Sequence, residues 1–342
     1  MSTSHLQFIM TAQEYIRTKL EELKQPVSLE KPENHNELVE AIFKILMSKK
    51  FRKYAAKPEL VDHMKNAIGV CIEKNQPINL TFTQGAYKLW RLEESPEADW
   101  AELFAAMHYT AWVKPICKIY EPGVWFDFFM DDLILPVLND VTIEESNVYK
   151  QTFGSILDIL KEFQPGNLKM TITGVGEQFE SKEAFYKKLD EDTAKYADNF
   201  PTGLPELDEA GAAMIQLNAK DSVDKKDPNW MAKNKLIHDA YLTHTKAETG
   251  YHNRPDKIKV FSQPLASNMF LAPGTTKDSV AKHWAGAGVL KPKDDDFRRL
   301  ILTPSQLDKT KFEWEDVHLD GLNGKNFEKI RVVTAWFICS LS

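Results

Sequence analysis

The stretch 77–132 constrains this chain more than any other. It opens on residues 78–82, an apolar run rich in β-formers and preceded by Pro77, which reads as a buried strand. Beyond an acidic linker, Asp99 occupies an N-cap position and Glu102 stands three residues on, completing a capping box. Apolar residues then recur at helical spacing until Glu121-Pro122-Gly123 stops the helix, and 124–130 reads as a second strand. Strand, crossover helix and strand form a βαβ unit, which is right-handed as a rule and implies a parallel sheet. Ligands of such sheets sit beyond the carboxyl ends of the strands. Gln84, Tyr87, Lys88 and Arg91 follow the first strand, and Asp131 and Asp132 follow the second. The pattern therefore expects cations and anions on one rim.

The rest of the chain extends this unit. Apolar spacing predicts helices at 11–24, 36–50 and 58–74, an N-terminal helical layer over 1–76. A helix at 144–163, a strand at 168–173 and helices around 181–197, 205–218 and 230–248 complete a Rossmann-like core over 77–250. Strands at 257–261, 268–272, 312–319 and 327–337, with a short helix from near Asp278, make a C-terminal α+β portion over 251–342. The expected fold class is α/β, with a Rossmann-like, mainly parallel sheet. One continuous domain is the alternative to a boundary near residue 250.

Composition narrows the function classes. A net charge of -7 and a pI near 5.8 argue against a nucleic-acid protein that binds through broad basic surface. The apolar runs are too short to cross a bilayer, and the opening MSTSHLQFIM lacks a basic n-region, so the expectation is a cytoplasmic protein without membrane or nucleic-acid partners. Cys71, Cys117 and Cys339 are odd in number and widely spaced, as reduced thiols are. The oligomeric state is not readable.

Three groups of residues carry candidate chemistry. Asp127 and Asp131, at even spacing on a strand, share a face, and with Asp132 they suit a general base or a Mg²⁺ site. The plainer alternative has Asp131 capping the next segment and Asp127 pairing with a nearby cation. Lys88 and Arg91 flank Trp90 and suit a phosphate or carboxylate clamp, or else are surface cations lying on Tyr87 and Trp90. Gly274-Thr275-Thr276-Lys277, ahead of the expected helix, suits an anion at a helix N-terminus, or else an ordinary cap by Thr276 or Asp278. Beside these, Arg254, with His252 and Lys257, forms a polar cluster that would face substrate. Thr173-Gly174-Val175-Gly176-Glu177 lacks the third glycine of a dinucleotide fingerprint and reads as a plain turn. His108 reads as a core residue, and neither the histidines nor the cysteines have metal or nucleophile spacing.

Residues 68–160 resemble the pyoverdine/dityrosine biosynthesis family, which includes the isocyanide (isonitrile) synthases. The shared features are PINLTF after a helix ending in EKNQ, the P…DWAEL helix entry, the KIYEPG turn, a strand ending in aspartate, and the LNDV…Y…IL tail. Here TQGAYKLWR stands in place of the family's proline- and serine-rich segment, and Met130-Asp131-Asp132 in place of its Ser-Asp-Gly turn. The resemblance implies conversion of an aromatic amino acid's amine to an isonitrile, with carbon from a pentulose phosphate and no redox cofactor. It makes the loop after Phe82 and the Asp131 turn parts of the active site.

The leading expectation is a small-molecule enzyme acting on an amine and a phosphorylated sugar, without a metal. Lys88 or Lys277 would form an imine or bind phosphate, Asp131 would move protons, and Arg91 or Arg254 would hold a carboxylate. Mg²⁺-dependent phosphoryl or nucleotidyl transfer is a second reading, and a non-catalytic module binding a phosphorylated ligand is a third.

Overall fold

The structure is a computed structural model that describes residues 10–54, 58–223, 226–251, 253–260, 272–273, 275–279, 281–322 and 324–336. The chain opens with helix α1 (Ala12–Glu21), capped by Thr11 and Glu14 as a capping box, then α2 (His35–Leu46), a short strand β1 (Arg52–Tyr54) and α3 (Pro58–Glu73). The expected βαβ unit follows as β2 (Ile78–Gln84), α4 (Trp100–Ile119) and β3 (Val124–Met130). Asp99 and Glu102 form the predicted capping box. At the predicted stop Gly123 has φ +73°, and a Cβ there would stand 1.9 Å from the Asn167 carbonyl oxygen, so only glycine fits.

Beyond β3 come the single turn α5 (Leu135–Leu138), α6 (Ile143–Leu160), β4 (Leu168–Gly174), α7 (Lys182–Ala197), α8 (Glu209–Asn218) and α9 (Trp230–Ala240). A π-type turn, Tyr241–Thr245, carries α9 on to Glu248. β5 (Lys257–Val260) then closes a four-stranded sheet in the order β4-β3-β2-β5, parallel throughout. The Rossmann-like, mainly parallel sheet is thus present, and it draws its fourth strand from beyond residue 250.

The sheet has two unlike faces. Ile78, Leu80, Phe82, Val124, Phe126 and Phe128 alternate onto one face and pack under α4, with the Tyr109 ring stacked 5.3 Å from Phe126. Asn79, Thr81, Asp127 and Thr171 alternate onto the other. α4 is buried in 16 of its 20 residues because a second sheet covers its far side. That sheet contains β7 (Ala287–Lys293), β8 (Asp296–Leu302), β9 (Thr310–Asp316) and β10 (Lys329–Trp336) in the order β8-β7-β10-β9; β6 (Ala272–Pro273) instead pairs with β1.

Here one expectation is corrected. No α-helix opens near Asp278: the described residues run through a bend to a 3₁₀ turn at His283–Ala285, and a β7–β8 hairpin takes over. Most of the expected strand at 268–272 lies outside the described residues, as do Cys339 and His252. No helix among the described residues is long and apolar enough to cross a membrane.

Candidate active site

A crevice of about 730 Å³ opens beyond the carboxyl ends of β2 and β3. Its floor is Thr83, Gln84 and Gly85 from the end of β2, with Asp131 from the end of β3. Gly85 is required there, since a Cβ would stand 2.5 Å from the Trp284 indole nitrogen. α8 and α9 form one wall, with Met214 and His238 facing the space, and Lys282 and Trp284 close the opposite side. The position agrees with the rule that parallel α/β sheets bind ligands at this end.

Asp131 is the most firmly placed carboxylate of the crevice. Its Oδ1 accepts from the Tyr241 hydroxyl at 2.5 Å and from Lys246 Nζ at 2.7 Å, both on the helical run after α9. Burial, reinforced by Asp131, raises the Tyr241 pKa well above the usual phenol range, so its hydroxyl stays a donor. Lys282 is held below the usual lysine range by burial, with Asp131 opposing the shift. A carboxylate fixed by two donors and a lysine of weakened basicity therefore face one space.

Beneath the floor lies a sealed polar network. Lys88 is fully buried, and its Nζ donates to Asp99 Oδ1 at 2.6 Å, to Glu102 Oε2 at 2.9 Å and to the His283 carbonyl at 2.8 Å. Asp99 Oδ2 accepts from the Gly288 amide of β7, and Glu102 Oε1 from the Tyr149 hydroxyl of α6. Burial works against the Lys88 charge, but the two carboxylates together raise its pKa. Burial pushes the Glu102 carboxyl well up, and although burial also acts on Asp99, the lysine holds that group below its usual range. The buried cation is thus held between two carboxyl groups whose affinities for a proton are pushed in opposite directions. His283 Nε2 donates to Gln84 Oε1 at 2.9 Å, tying the network to the crevice floor, and burial keeps this imidazole neutral.

Several expected site residues are placed elsewhere. Lys88 turns inward, away from the rim, because Asp99 and Glu102 at the start of α4 take its charge. Arg91 stacks 4.2 Å over Trp90 and donates to the Gln216 and Leu217 carbonyls, satisfying the open C-terminal end of α8. With the Tyr87 hydroxyl on Asn218 Oδ1 at 3.3 Å, it holds a crevice wall from outside. Arg254 grips Asp256 through Nε and Nη2 at the amino end of β5, opposite the crevice. Thr275 and Thr276 are buried in a closed turn: both amides donate to the Ser279 carbonyl, and Thr276 Oγ1 accepts from the Ser279 amide. Lys277 is exposed beside them, none of the three lines the crevice, and Gly274 lies outside the described residues.

Of the aspartates, Asp127 lies within β3 and Asp131 just past its end, and only Asp131 lines the crevice. Asp127 is sealed under the Thr171, Thr173 and Tyr251 hydroxyls. Asp132 accepts from the Gly176 amide at 3.0 Å, so that turn serves the protein's own carboxylate, and burial raises its pKa. Tyr241, Lys246 and Lys282 were not singled out in the sequence. The first two belong to a helix whose apolar spacing gives no sign of a charged contact, and the third falls in the segment expected to be helical.

Fold and crevice define an α/β protein of the Rossmann-like class, with a small-molecule-sized space at the carboxyl ends of its parallel strands. No protein-family model matches the sequence, and no curated protein matches it. In fold the chain is similar to the crystal structure of the PvcA protein from Pseudomonas aeruginosa, with a TM-score of 0.61 at 14% identity, covering 86% of this chain and 99% of that one. At that identity the likeness is one of fold. A tyrosyl-tRNA synthetase from Pyrococcus horikoshii, complexed with L-tyrosine, aligns over 69% of this chain and 58% of its own at 9% identity and a TM-score of 0.29, too slight to bear on the fold.

Proposed function

We propose that this protein is a small-molecule biosynthetic enzyme that binds an amino acid through its amine in the crevice and, like the isocyanide synthases it resembles, joins that amine to carbon from a phosphorylated sugar. The observation that carries the reading is the placement of Asp131. It is the rim carboxylate that the resemblance marks, it stands at the end of β3, and Tyr241 and Lys246 fix one of its oxygens. The other oxygen is left to meet an ammonium or accept a proton. The crevice lining supports an amine: Asp131, Glu206, Asp208 and Asp239 outnumber Lys235 and Lys282. The fold likeness to PvcA, over 86% of this chain and 99% of that one, supports the fold that this reading requires.

In this reading Lys282 exchanges protons with the amine as the new bond forms, its weakened basicity suiting that task. Tyr241 stays protonated and keeps Asp131 oriented. The purified protein, given L-tyrosine and a pentulose phosphate with and without chelator, should form an isonitrile detectable by infrared absorption in both samples. Turnover that stops with chelator and returns with Mg²⁺ would point to metal-assisted transfer instead.

A further inference from the structure

The polar face of the parallel sheet carries a group that the crevice does not use. Register places Asn79, Trp125 and Lys257 in one row across β5, β2 and β3, with Thr81 and Asp127 in the next. Lys257 is 1% exposed, and its Nζ has no hydrogen-bond partner among the described residues. It lies 3.1 Å from the centroid of the Tyr251 ring and 5.7 Å from that of Trp125. Asn79 Oδ1 and Thr81 Oγ1 beside it on β2 are also buried without hydrogen-bond partners among the described residues. The Tyr251 hydroxyl donates to Asp127 Oδ2, which puts a proton donor and its acceptor next to the amine.

We infer that Lys257 is a carbonyl-reactive amine sheltered under the Tyr251 ring, which takes small aldehydes or ketones, a sugar carbonyl among them, as imines. Only the mention of a sugar rests on the function proposed above. The charged groups around Lys257 are Asp127 on β3 and Arg254 and Asp256 at the entry to β5. Burial outweighs the two aspartates, Arg254 adds to it, and the amine falls to about 8. A desolvated lysine is the ordinary form of an amine nucleophile, since only the neutral amine attacks.

The chemistry closes without a co-reactant. The Nζ lone pair forms a bond to the carbonyl carbon, and the π pair moves to oxygen, which takes a proton from the Tyr251 hydroxyl. The ammonium formed returns a proton to Tyr251. The carbinolamine hydroxyl then takes the Tyr251 proton and leaves as water, the nitrogen lone pair closes the C=N bond, and the N–H proton returns to Tyr251. Access requires the half-buried Tyr251 ring to move from its place over the amine, where its hydroxyl meets Asp127 and its ring stacks on Phe129.

The test uses propanal with cyanoborohydride at pH 7, which reduces any imine to a stable propylamine, and peptide mass mapping of early time points. Lys187 is the reference, its side chain 80% exposed. An amine of lowered pKa holds roughly a hundred-fold more neutral form than an ordinary lysine, so Lys257 should be alkylated at least about ten-fold faster than Lys187. Tyr251→Phe, which keeps the ring but removes the hydroxyl that protonates the carbonyl oxygen, should slow alkylation of Lys257 several-fold. Alkylation of Lys257 no faster than Lys187 in the wild type, or at the same rate in Tyr251→Phe, would overturn the inference. The readout needs neither amino-acid binding nor turnover, so its failure and that of the crevice reading are separable.

Discussion

Lys246 Nζ lies 2.7 Å from Asp131 Oδ1 although 115 positions separate them in the chain. The contact joins the end of β3 to the helical run that walls the crevice, and the Lys246 ammonium also lies 5.3 Å from the Phe129 ring. A charged hydrogen bond contributes roughly 1.5–3 kcal/mol when well buried, and here the Asp131 side chain is 20% exposed, which screens it. Lys246→Met should therefore lower stability by about 1–2 kcal/mol in urea denaturation. An unchanged midpoint would show that the pair contributes nothing in solution.

Lys88 gives a sharper contrast. Removing one partner of a buried ion pair costs about 3–5 kcal/mol because the remaining charge is stranded. Lys88→Met strands Asp99 under the second sheet, so it should unfold at markedly lower urea. A stable but inactive Lys88→Met protein would instead return this lysine to the chemistry.

His283 predicts a pH signature. Its folded pKa is depressed by burial and then by Lys88, so the unfolded chain binds the proton more tightly. Stability from this group is fully present above the unfolded pKa of about 6.5 and is lost as pH falls below it, at about 1.4 kcal/mol per pH unit. Glu102, whose pKa is raised, works in the opposite sense from its unfolded value upward, so the wild-type profile is partly flattened. The stability difference between wild type and His283→Gln should isolate the histidine. It should be constant above pH 6.5 and shift steadily in favour of the variant below it. A difference independent of pH would mean that His283 titrates normally.

The fold was legible where local chemistry and burial agree. Asp99 and Glu102 capped α4 as read, and Glu121-Pro122-Gly123 ended it, because caps and breakers act within a few residues. The β7–β8 hairpin was missed because Gly286, Gly288 and Pro292 interrupt its apolar alternation, and VAKHW mimics a helix start. In the site, Gln84, Tyr87 and Asp131 line the crevice as expected. Lys88 did not, because a cation eleven residues before a capping aspartate is as easily drawn into the helix start as left on the rim. Tyr241 and Lys246 reach Asp131 only through tertiary packing, which no spacing records.

Arg91 should act through a wall of the crevice. Arg91→Ala leaves the Gln216 and Leu217 carbonyls to water, so amide exchange in α8 should quicken while global stability moves by less than about 1 kcal/mol. Unaltered exchange in Glu209–Asn218 would show that the helix end is held by other contacts.

The central claim is that Asp131 receives the substrate amine, and calorimetry on L-tyrosine tests it most directly. Wild type should bind L-tyrosine and bind its deaminated analogue, 3-(4-hydroxyphenyl)propanoate, far more weakly. Asp131→Asn removes the charge but keeps the shape, and losing one charged hydrogen bond should weaken L-tyrosine about ten- to a hundred-fold and leave the analogue unchanged. A folded Asp131→Asn protein that binds L-tyrosine as tightly as the wild type would contradict the account.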